Sequence, residues 1–515
     1  MIPIIPATRA APALWLKSQV SALAGVLLLA LVLRLYALEA KSLSFDELYS
    51  FFVARHTLSG ITRLIGQHDT HPPLYYATLR LWMAAVGSSE VALRLLSILG
   101  GLTTVFLTYL VAARLASPAV GLIAALIVAT SPFHIQATQE VRMYPWLGVW
   151  IWLGAWALLQ WLDGDRRGWL ALYGLATVLS LYTHYLAFFM LPAHAVYLTA
   201  THTSRRKMIA WATCLLAISV LYLPWVPMVA QQVASGRGWP QFRPPLTYHT
   251  ITDLLGFLAF GGRLFGMGTY FTVGRADLVT LAPLLLPFLL LAAYGLSILA
   301  ATSSAWFLAS WGGVPVILAF AFSIKWNIFY PRYFSFLEPV FAIALAAGIY
   351  YLAAGFSSYR WLAVVGLLLL PVSFSVPVLA EYYRVPGYSD WRAASRYLEA
   401  SIKPDDALLF VPAIGREMMR YYLSYKNESL AMDPGEVLKT DVTGAQAVLG
   451  AEKIAAMARR HPRLWIVATL PLGYPARSRL NEILGPYFIE TWGRDFHRVY
   501  LFLLKSRVRT ASAAP

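Results

Sequence analysis

Charge and cysteine are what this sequence has least of. Only 13% of its 515 residues are Asp, Glu, Lys or Arg, against roughly a quarter in soluble domains. That scarcity excludes an ordinary soluble globule. The one cysteine, Cys214, lies inside an apolar run, so no intrachain disulfide can form. Acids are scarcer than bases, 25 against 41, for a net charge of +16. Such a surplus can mark a nucleic-acid binder. Here the bases are spread over loops and tail, with no dense basic helix, and no nucleic-acid partner is expected. No clean small-residue cleavage site follows the first apolar run, so it reads as an uncleaved helix.

What is abundant is apolar surface: 59% of the residues are hydrophobic and the mean hydropathy is +0.60. A bilayer core takes about 20 apolar residues per helix. The runs predict a polytopic, all-α membrane protein with eleven spans, at 18–38, 91–113, 119–136, 144–162, 169–184, 186–200, 208–229, 278–300, 305–324, 333–353 and 360–380. Lys and Arg near span ends bias a loop to the cytoplasm. Arg9, Lys17, Arg114, Arg166, Arg167, Arg205, Arg206, Lys207 and Arg360 then lie inside. Residues 39–90, 137–143, 230–277 and 325–332 lie outside, and an odd span count puts the tail outside as well. The expected location is the inner (plasma) membrane, with the site and the tail on the periplasmic or extracellular side.

Two domains are expected, a membrane module at 1–383 and a soluble α/β domain at 384–515. From Arg384 onward the chain carries 19 Lys and Arg and 13 Asp and Glu, so nearly half of all its charges fall in the last quarter. "ALLFVPA" (407–413), "RLWIVATL" (463–470) and "HRVYLFLLKSRV" (497–508) read as strands. "GREMMRYYLSY" (415–425) and "AEKIAAMARR" (451–460) read as helices between them. The first outer loop, 39–90, is too long for a connector. Its apolar, aromatic segments suit helices lying in the membrane interface.

Four polar constellations stand out in the outer loops. "SLSFDELYS" (42–50) holds Asp46 and Glu47. Ser44-x-x-Glu47 fits a capping box, which accounts for Glu47 better than for Asp46. The alternative is a carboxylate base facing an incoming hydroxyl. "HDTHPPLYY" (68–76) holds Asp69, His71 and Tyr75. A helix cap, substrate contact and a metal site all remain open there, although H-D-x-H is not a zinc spacing. "TQEVRMYP" (138–145) crowds Glu140, Arg142 and Tyr144 between two spans. Tyr144 suits an interface belt and Arg142 a snorkelling base, but Glu140 has no such bland role. "YPRYFSF" (330–336) offers Arg332 for a headgroup or a phosphate, and Tyr182 to Tyr185 places His184 at another outer mouth.

At these residues the chain resembles the integral-membrane glycosyltransferases of the C-type (GT-C) fold. The likeness is to the bacterial branch near protein O-mannosyltransferases and lipid A aminoarabinose transferases. It runs through "SLSFDELYS", "DTHPPLYYATLRLW", "EVALRLLSILGG", "SPFHIQATQEVRMY" and "LYTHY", and more loosely through "YPRYFSFLEPVFAIALAAG" and "SDWRAASRYL". The resemblance implies transfer of a sugar from a polyprenyl-phosphate donor to a lipid, protein or cell-wall glycan acceptor on the outer face. It makes Asp46 catalytic, with Glu47 beside it. It makes Glu140 the second-loop acid that arranges the site or shares a divalent cation, Mg or Mn, with Asp46. Asp69, His71, Tyr75, Arg142, Tyr144, His184 and Arg332 become substrate contacts. A phosphate leaving group needs cations rather than a general acid, and a single displacement inverts the anomeric centre. The rival class is a flippase or transporter of lipid-linked sugars. It would place charged or broken helices near the bilayer midplane, whereas these acids gather at one face.

Overall fold

The computed structural model of the chain describes residues 13–234, 246–261, 268–269, 272–273, 278–384, 389–431, 445–469 and 480–507. The backbone divides into two compact units. One is Met1–Leu38 with Val53–Arg384, and the other is Glu39–Phe52 with Val385–Pro515. Residues 39–52 thus group with the C-terminal part, although by sequence they belong to the first loop.

In chain order the helices begin with α1 (Ala13–Leu35), α2 (Phe45–Ala54), α3 (Leu58–His68), α4 (Leu74–Val86), α5 (Glu90–Leu115), α6 (Pro118–Thr130) and α7 (Pro132–Thr138). Then come α8 (Tyr144–Gly164), α9 (Arg167–Leu181), α10 (Met190–Ala200), α11 (Arg205–Tyr222), α12 (Val226–Ala234) and α13 (Tyr248–Phe260). The membrane unit closes with α14 (Leu278–Leu299), α15 (Ser303–Trp326), α16 (Glu338–Ala354) and α17 (Arg360–Arg384).

Among the described residues seven helices are long and apolar enough to cross a membrane, or eight with the bent pair α6–α7. Eleven were expected. The shortfall lies in residues 144–200. Helix α8 has the length, 21 residues, but five are tryptophans, whose ring N–H lowers hydropathy. Helix α9 has 15 residues, and Tyr185–Ala200 is also short. The membrane unit is therefore built of long apolar helices with shorter apolar helices packed among them.

Within the membrane there is no hydrophobic drive between helices, so small residues set how closely they pack. A Cβ at Gly348 of α16 would fall on the Leu291 carbonyl of α14, and one at Gly295 of α14 on the Ala344 carbonyl of α16. The two backbones touch there, and only glycine permits it.

The break between α6 and α7 bends the chain by 62°. Pro132 has no N–H, so the Val128 carbonyl loses its helical partner, and the bend strips Ala129 of its own. Arg34, fully buried near the end of α1, replaces both. Its Nη1 donates to Ala129 O at 3.0 Å and its Nη2 to Val128 O at 3.4 Å. Nη2 also lies 2.7 Å from His134 Nδ1 in α7. Gln139, just past α7, answers by donating to the Arg34 and Tyr36 carbonyls at 2.7 and 3.0 Å. Gly101 leaves the space that Thr138 and Arg34 occupy.

The second unit adds α18 (Trp391–Ser401), α19 (Gly415–Tyr422) and α20 (Ala445–Arg460). Strands β1 (Gly268–Thr269) and β2 (Thr272–Val273) form a small ladder in the first unit. In the second, β3 (Asp406–Val411), β4 (Ser429–Ala431), β5 (Arg463–Thr469), β6 (Phe488–Asp495) and β7 (Val499–Ser506) make a sheet in the order β4-β3-β5-β7-β6. The first three run parallel, and β7 and β6 join antiparallel. Strand β3 is buried along its whole length, which is why it reads as an unbroken apolar run. Asp406 opens it, fully buried. Burial alone would raise its pKa, but the fork of Arg463, at 2.7 and 2.5 Å, the Lys403 N–H and the Trp465 indole together hold it down.

Arg34→Met keeps the length of the side chain and removes every donor. Each buried acceptor orphaned in this way costs about 1–3 kcal/mol. The expected outcome is a clearly lower Tm in detergent and reduced yield, read by thermal unfolding of purified protein. A wild-type Tm would show that Arg34 is not the brace of the α6–α7 bend.

Candidate functional site

Asp46 and Glu47 sit in the first turn of α2, in the second unit. The capping box is present: Glu47 N–H reaches Ser44 Oγ at 3.4 Å, and Ser44 N–H donates to Glu47 Oε2 at 2.8 Å. Glu47 is buried in that exchange, while Asp46, one residue earlier, is half-buried and takes no part in the box.

In the first unit, Asp69 follows α3. Its N–H still donates to Ile65 O, and its carboxylate takes the Thr70 N–H at 2.7 Å. Pro72 and Pro73 have no N–H to give. The next donor, Leu74 N–H, goes to Tyr182 O at 3.1 Å and fastens the His-Pro-Pro turn to the 182–185 turn. Gln232 of α12 clamps the same loop, donating to Ile65 O at 3.2 Å and Asp69 O at 3.1 Å. Its own carbonyl accepts from the Tyr185 hydroxyl at 2.5 Å, which in turn accepts from the Trp225 indole at 3.1 Å.

Inside that clamp the Asp69 side chain is 5% exposed. His71 Nδ1 lies 2.6 Å from Oδ1, and the Tyr76 hydroxyl donates to Oδ2 at 2.5 Å. Burial would raise the Asp69 pKa, but His71, Arg142 and Tyr76 outweigh it and bring the value down to about 2. Asp69 is a fixed carboxylate, and it holds the His71 ring by Nδ1.

Around His71 stands a wall of rings. His184 lies 5.3 Å from it, Tyr333 lies 5.1 Å from His184, and Tyr144 lies 5.6 Å from Tyr333. Two guanidinium groups lie against Tyr144, Arg332 at 5.1 Å and Arg142 at 5.7 Å from the ring centre. Arg332 also pairs with Glu140, Nη2 to Oε2 at 3.6 Å. The bend after α7 delivers this segment: Gln139 is tied back to α1, and Arg142 N–H closes a tight turn on Glu140 O at 2.8 Å.

The structure thus brings together Asp69, His71, Glu140, Arg142, Tyr144, His184 and Arg332 in the first unit. Tyr75 stands beside them, its ring 6.0 Å from that of Tyr76. Sequence reasoning missed Tyr76, Tyr333 and Gln232. Tyr76 and Tyr333 are neighbours of residues it chose, and only the helix face tells them apart. Gln232 had a signal, an amide inside an apolar helix.

Among the described residues no three His, Cys, Asp or Glu side chains gather to hold a metal. Asp69 already engages His71 and Tyr76, and Glu140 faces a guanidinium. Within the first unit these two carboxylates alone do not make a donor set that fits a divalent cation.

The depressed Asp69 pKa sets a sign for stability. The carboxylate's contribution is complete above its ordinary value of 3.8 and is lost as pH falls through about 2. Asp69→Asn is therefore expected to lose about 2 kcal/mol at pH 7, and the gap to wild type should narrow below pH ~4. Thermal unfolding across pH measures it, and a gap independent of pH would assign the loss to packing.

Residues 70–227 match the family model described as dolichyl-phosphate-mannose-protein mannosyltransferase. No curated protein matches the chain. Among solved structures, ArnT from Cupriavidus metallidurans in the apo state is similar over 96% of this chain and 98% of that one, at 14% identity and a TM-score of 0.60. ArnT bound to undecaprenyl phosphate is similar over 98% and 100%, at 15% identity and a TM-score of 0.57. The archaeal oligosaccharyltransferase AglB from Archaeoglobus fulgidus, in complex with an inhibitory peptide and a dolichol-phosphate, is similar over 97% and 75%, at 11% identity and a TM-score of 0.58. The chain therefore has the C-type (GT-C) fold of a multi-pass membrane protein.

Proposed function

We propose that this protein transfers a sugar from a polyprenyl-phosphate carrier to an acceptor hydroxyl on the outer face of the inner (plasma) membrane, with inversion. One observation carries the reading: two guanidinium groups and a carboxylate-held imidazole gather around one aromatic wall. A departing polyprenyl phosphate is an anion. Cations fixed in place before it forms stabilise the charge that develops on it. Arg332 is the main phosphate contact and Arg142 the second, with His71 beside them. Glu140 orients Arg332, and Asp69 orients His71. Tyr75, Tyr144 and His184 supply flat surface for the sugar.

An apolar pocket of about 540 Å³, lined by Phe188, Tyr222, Val226, Val229 and Val233, supports a lipid-borne donor. Tyr222 packs 5.2 Å from Tyr182, whose carbonyl holds the His-Pro-Pro turn. The pocket and the polar cluster therefore share one framework.

Asp46 is the base that takes the acceptor's proton as its oxygen attacks the anomeric carbon. Electrons of the broken glycosyl–phosphate bond leave on the phosphate, so no general acid is required. Glu47 acts through the cap that fixes the helix bearing Asp46. The acceptor is a hydroxyl of a lipid, protein or cell-wall glycan, reached outside the membrane where the tail also lies.

The test is transfer from a panel of radiolabelled undecaprenyl-phosphate sugars by purified protein. Label should reach an acceptor and should be lost in Asp46→Asn, with kcat down about 10²–10⁴-fold. Full activity in that variant would reduce Asp46 to a first-turn acid. Passage of the labelled lipid-linked sugar across a proteoliposome bilayer, with no transfer, would make the protein a flippase. Arg332→Ala should weaken donor binding about 10–100-fold, the worth of a charged hydrogen bond. Unchanged undecaprenyl-phosphate affinity would remove Arg332 from the phosphate.

A further inference from the structure

Within the second unit, the arm that leads to Asp46 lies on the C-terminal domain by its backbone. Arg392 of α18 donates to the Glu39 carbonyl at 2.9 Å and the Lys41 carbonyl at 3.3 Å. Ser42 Oγ donates to Ser389 O at 2.8 Å. Leu43 N–H donates to the Tyr422 hydroxyl at 2.7 Å, at the end of α19. The Phe51 ring, in the same helix as Asp46, meets Tyr421 edge to face at 4.8 Å. These contacts bracket Asp46 from both sides in sequence.

The arm itself has no secondary structure before α2 begins at Phe45. A segment without its own ladder or helix takes its position from what its backbone groups bond to. Here those partners come from α18 and α19. Both helices are anchored in turn: Asp390 caps α18 through the Ala393 N–H at 2.9 Å, and Met418 and Met419 of α19 are buried. Ser44 then starts α2 immediately after Leu43, and Asp46 follows in its first turn.

From this we infer that the C-terminal domain is the mount of the Asp46 segment, and that Tyr422 and Arg392 are positioning residues for transfer. The inference rests on the reading of Asp46 as the base. It gives the domain a part in the reaction itself, beyond any choice of acceptor. Neither residue is assigned a contact with the reacting atoms. They act through the backbone of residues 39–43, so their loss should alter the chemical step and leave the binding of the carrier lipid alone.

The test uses the full chain, purified in detergent, as wild type, Tyr422→Phe, Arg392→Ala, Arg392→Lys and Asp46→Asn. Hydrogen–deuterium exchange is followed peptide by peptide. Turnover is measured with the undecaprenyl-phosphate sugar that the panel above selects, and binding with undecaprenyl phosphate alone. In Tyr422→Phe and Arg392→Ala, amides of 42–50 should exchange about tenfold faster or more, while those of β3 and β5 keep wild-type protection. Turnover should fall at least tenfold with KM and undecaprenyl-phosphate affinity unchanged, and Arg392→Lys should recover part of it.

Unchanged exchange at 42–50 would overturn the mount outright. Faster exchange with full turnover would overturn its role in transfer. Lost protection in the strands of both variants would reduce the effect to unfolding of the domain, and Tyr422→Phe, which removes one oxygen atom, is the variant least exposed to that outcome. If Asp46→Asn stays active, the reading of Asp46 as base fails, while the exchange result still decides whether the domain holds the arm.

Discussion

A buried guanidinium at the end of the first membrane helix makes the membrane unit's polar geometry possible. Proline 132 breaks a span where water cannot repair the break. Two carbonyls buried inside the protein lose their partners, and each one left unsatisfied costs about 1–3 kcal/mol. Arg34 satisfies both and holds His134 on the far side of the bend. The turn that follows carries Glu140, Arg142 and Tyr144. An unbroken α6–α7 would run on as one straight helix and set those residues elsewhere. The broken span is a way of turning a chain toward a site without exposing its backbone to lipid.

That brace was hidden in the sequence for a physical reason. A basic residue at a span end ordinarily snorkels to headgroups or sets topology, and Arg34 looks like one of those. Besides the Ala30 carbonyl one turn back, its partners lie roughly a hundred residues away, and no local pattern announces them. The Ser44–Glu47 box, by contrast, was fully legible, because a cap is made within four residues. Polar bunches in apolar surroundings were legible too, so Asp69, His71, Glu140, Arg142 and Arg332 could be named. What could not be read was which tyrosine would meet Asp69. Tyr75 and Tyr76 differ only in the helix face they occupy, and packing chose Tyr76. The strands of the tail were legible as apolar runs, but the antiparallel edge was not, since β6 is exposed along most of its length. The expected eleven spans and the seven or eight helices that are long and apolar enough, among the described residues, differ where helices are tryptophan-rich or short.

The division of the chain also separates the two chemistries by element. The polar cluster stands on turns and helix ends of the first unit, with backbones locked by long-range bonds such as those of Gln232 and Leu74. Asp46 stands on a short helix whose lead-in is tied to the C-terminal domain. On the proposed reading, the groups for the carrier's phosphate and the base for the acceptor are thus held by two different units of the chain.

The carboxylates in the cluster answer a problem of charge. Two guanidinium groups with no anion between them would repel and splay apart, and they would have to be gathered each time a donor arrived. Glu140 lies 3.6 Å from Arg332, longer than a charge-assisted hydrogen bond. Such a pair places the carboxylate beside a guanidinium that also lies against the Tyr144 ring. Asp69 is different. At 2.6 and 2.5 Å from His71 and Tyr76 it is fully engaged, so it fixes a ring and does not exchange partners. On the proposed reading, cations held in place by carboxylates before the leaving group's charge develops leave little reorganisation for the moment of reaction.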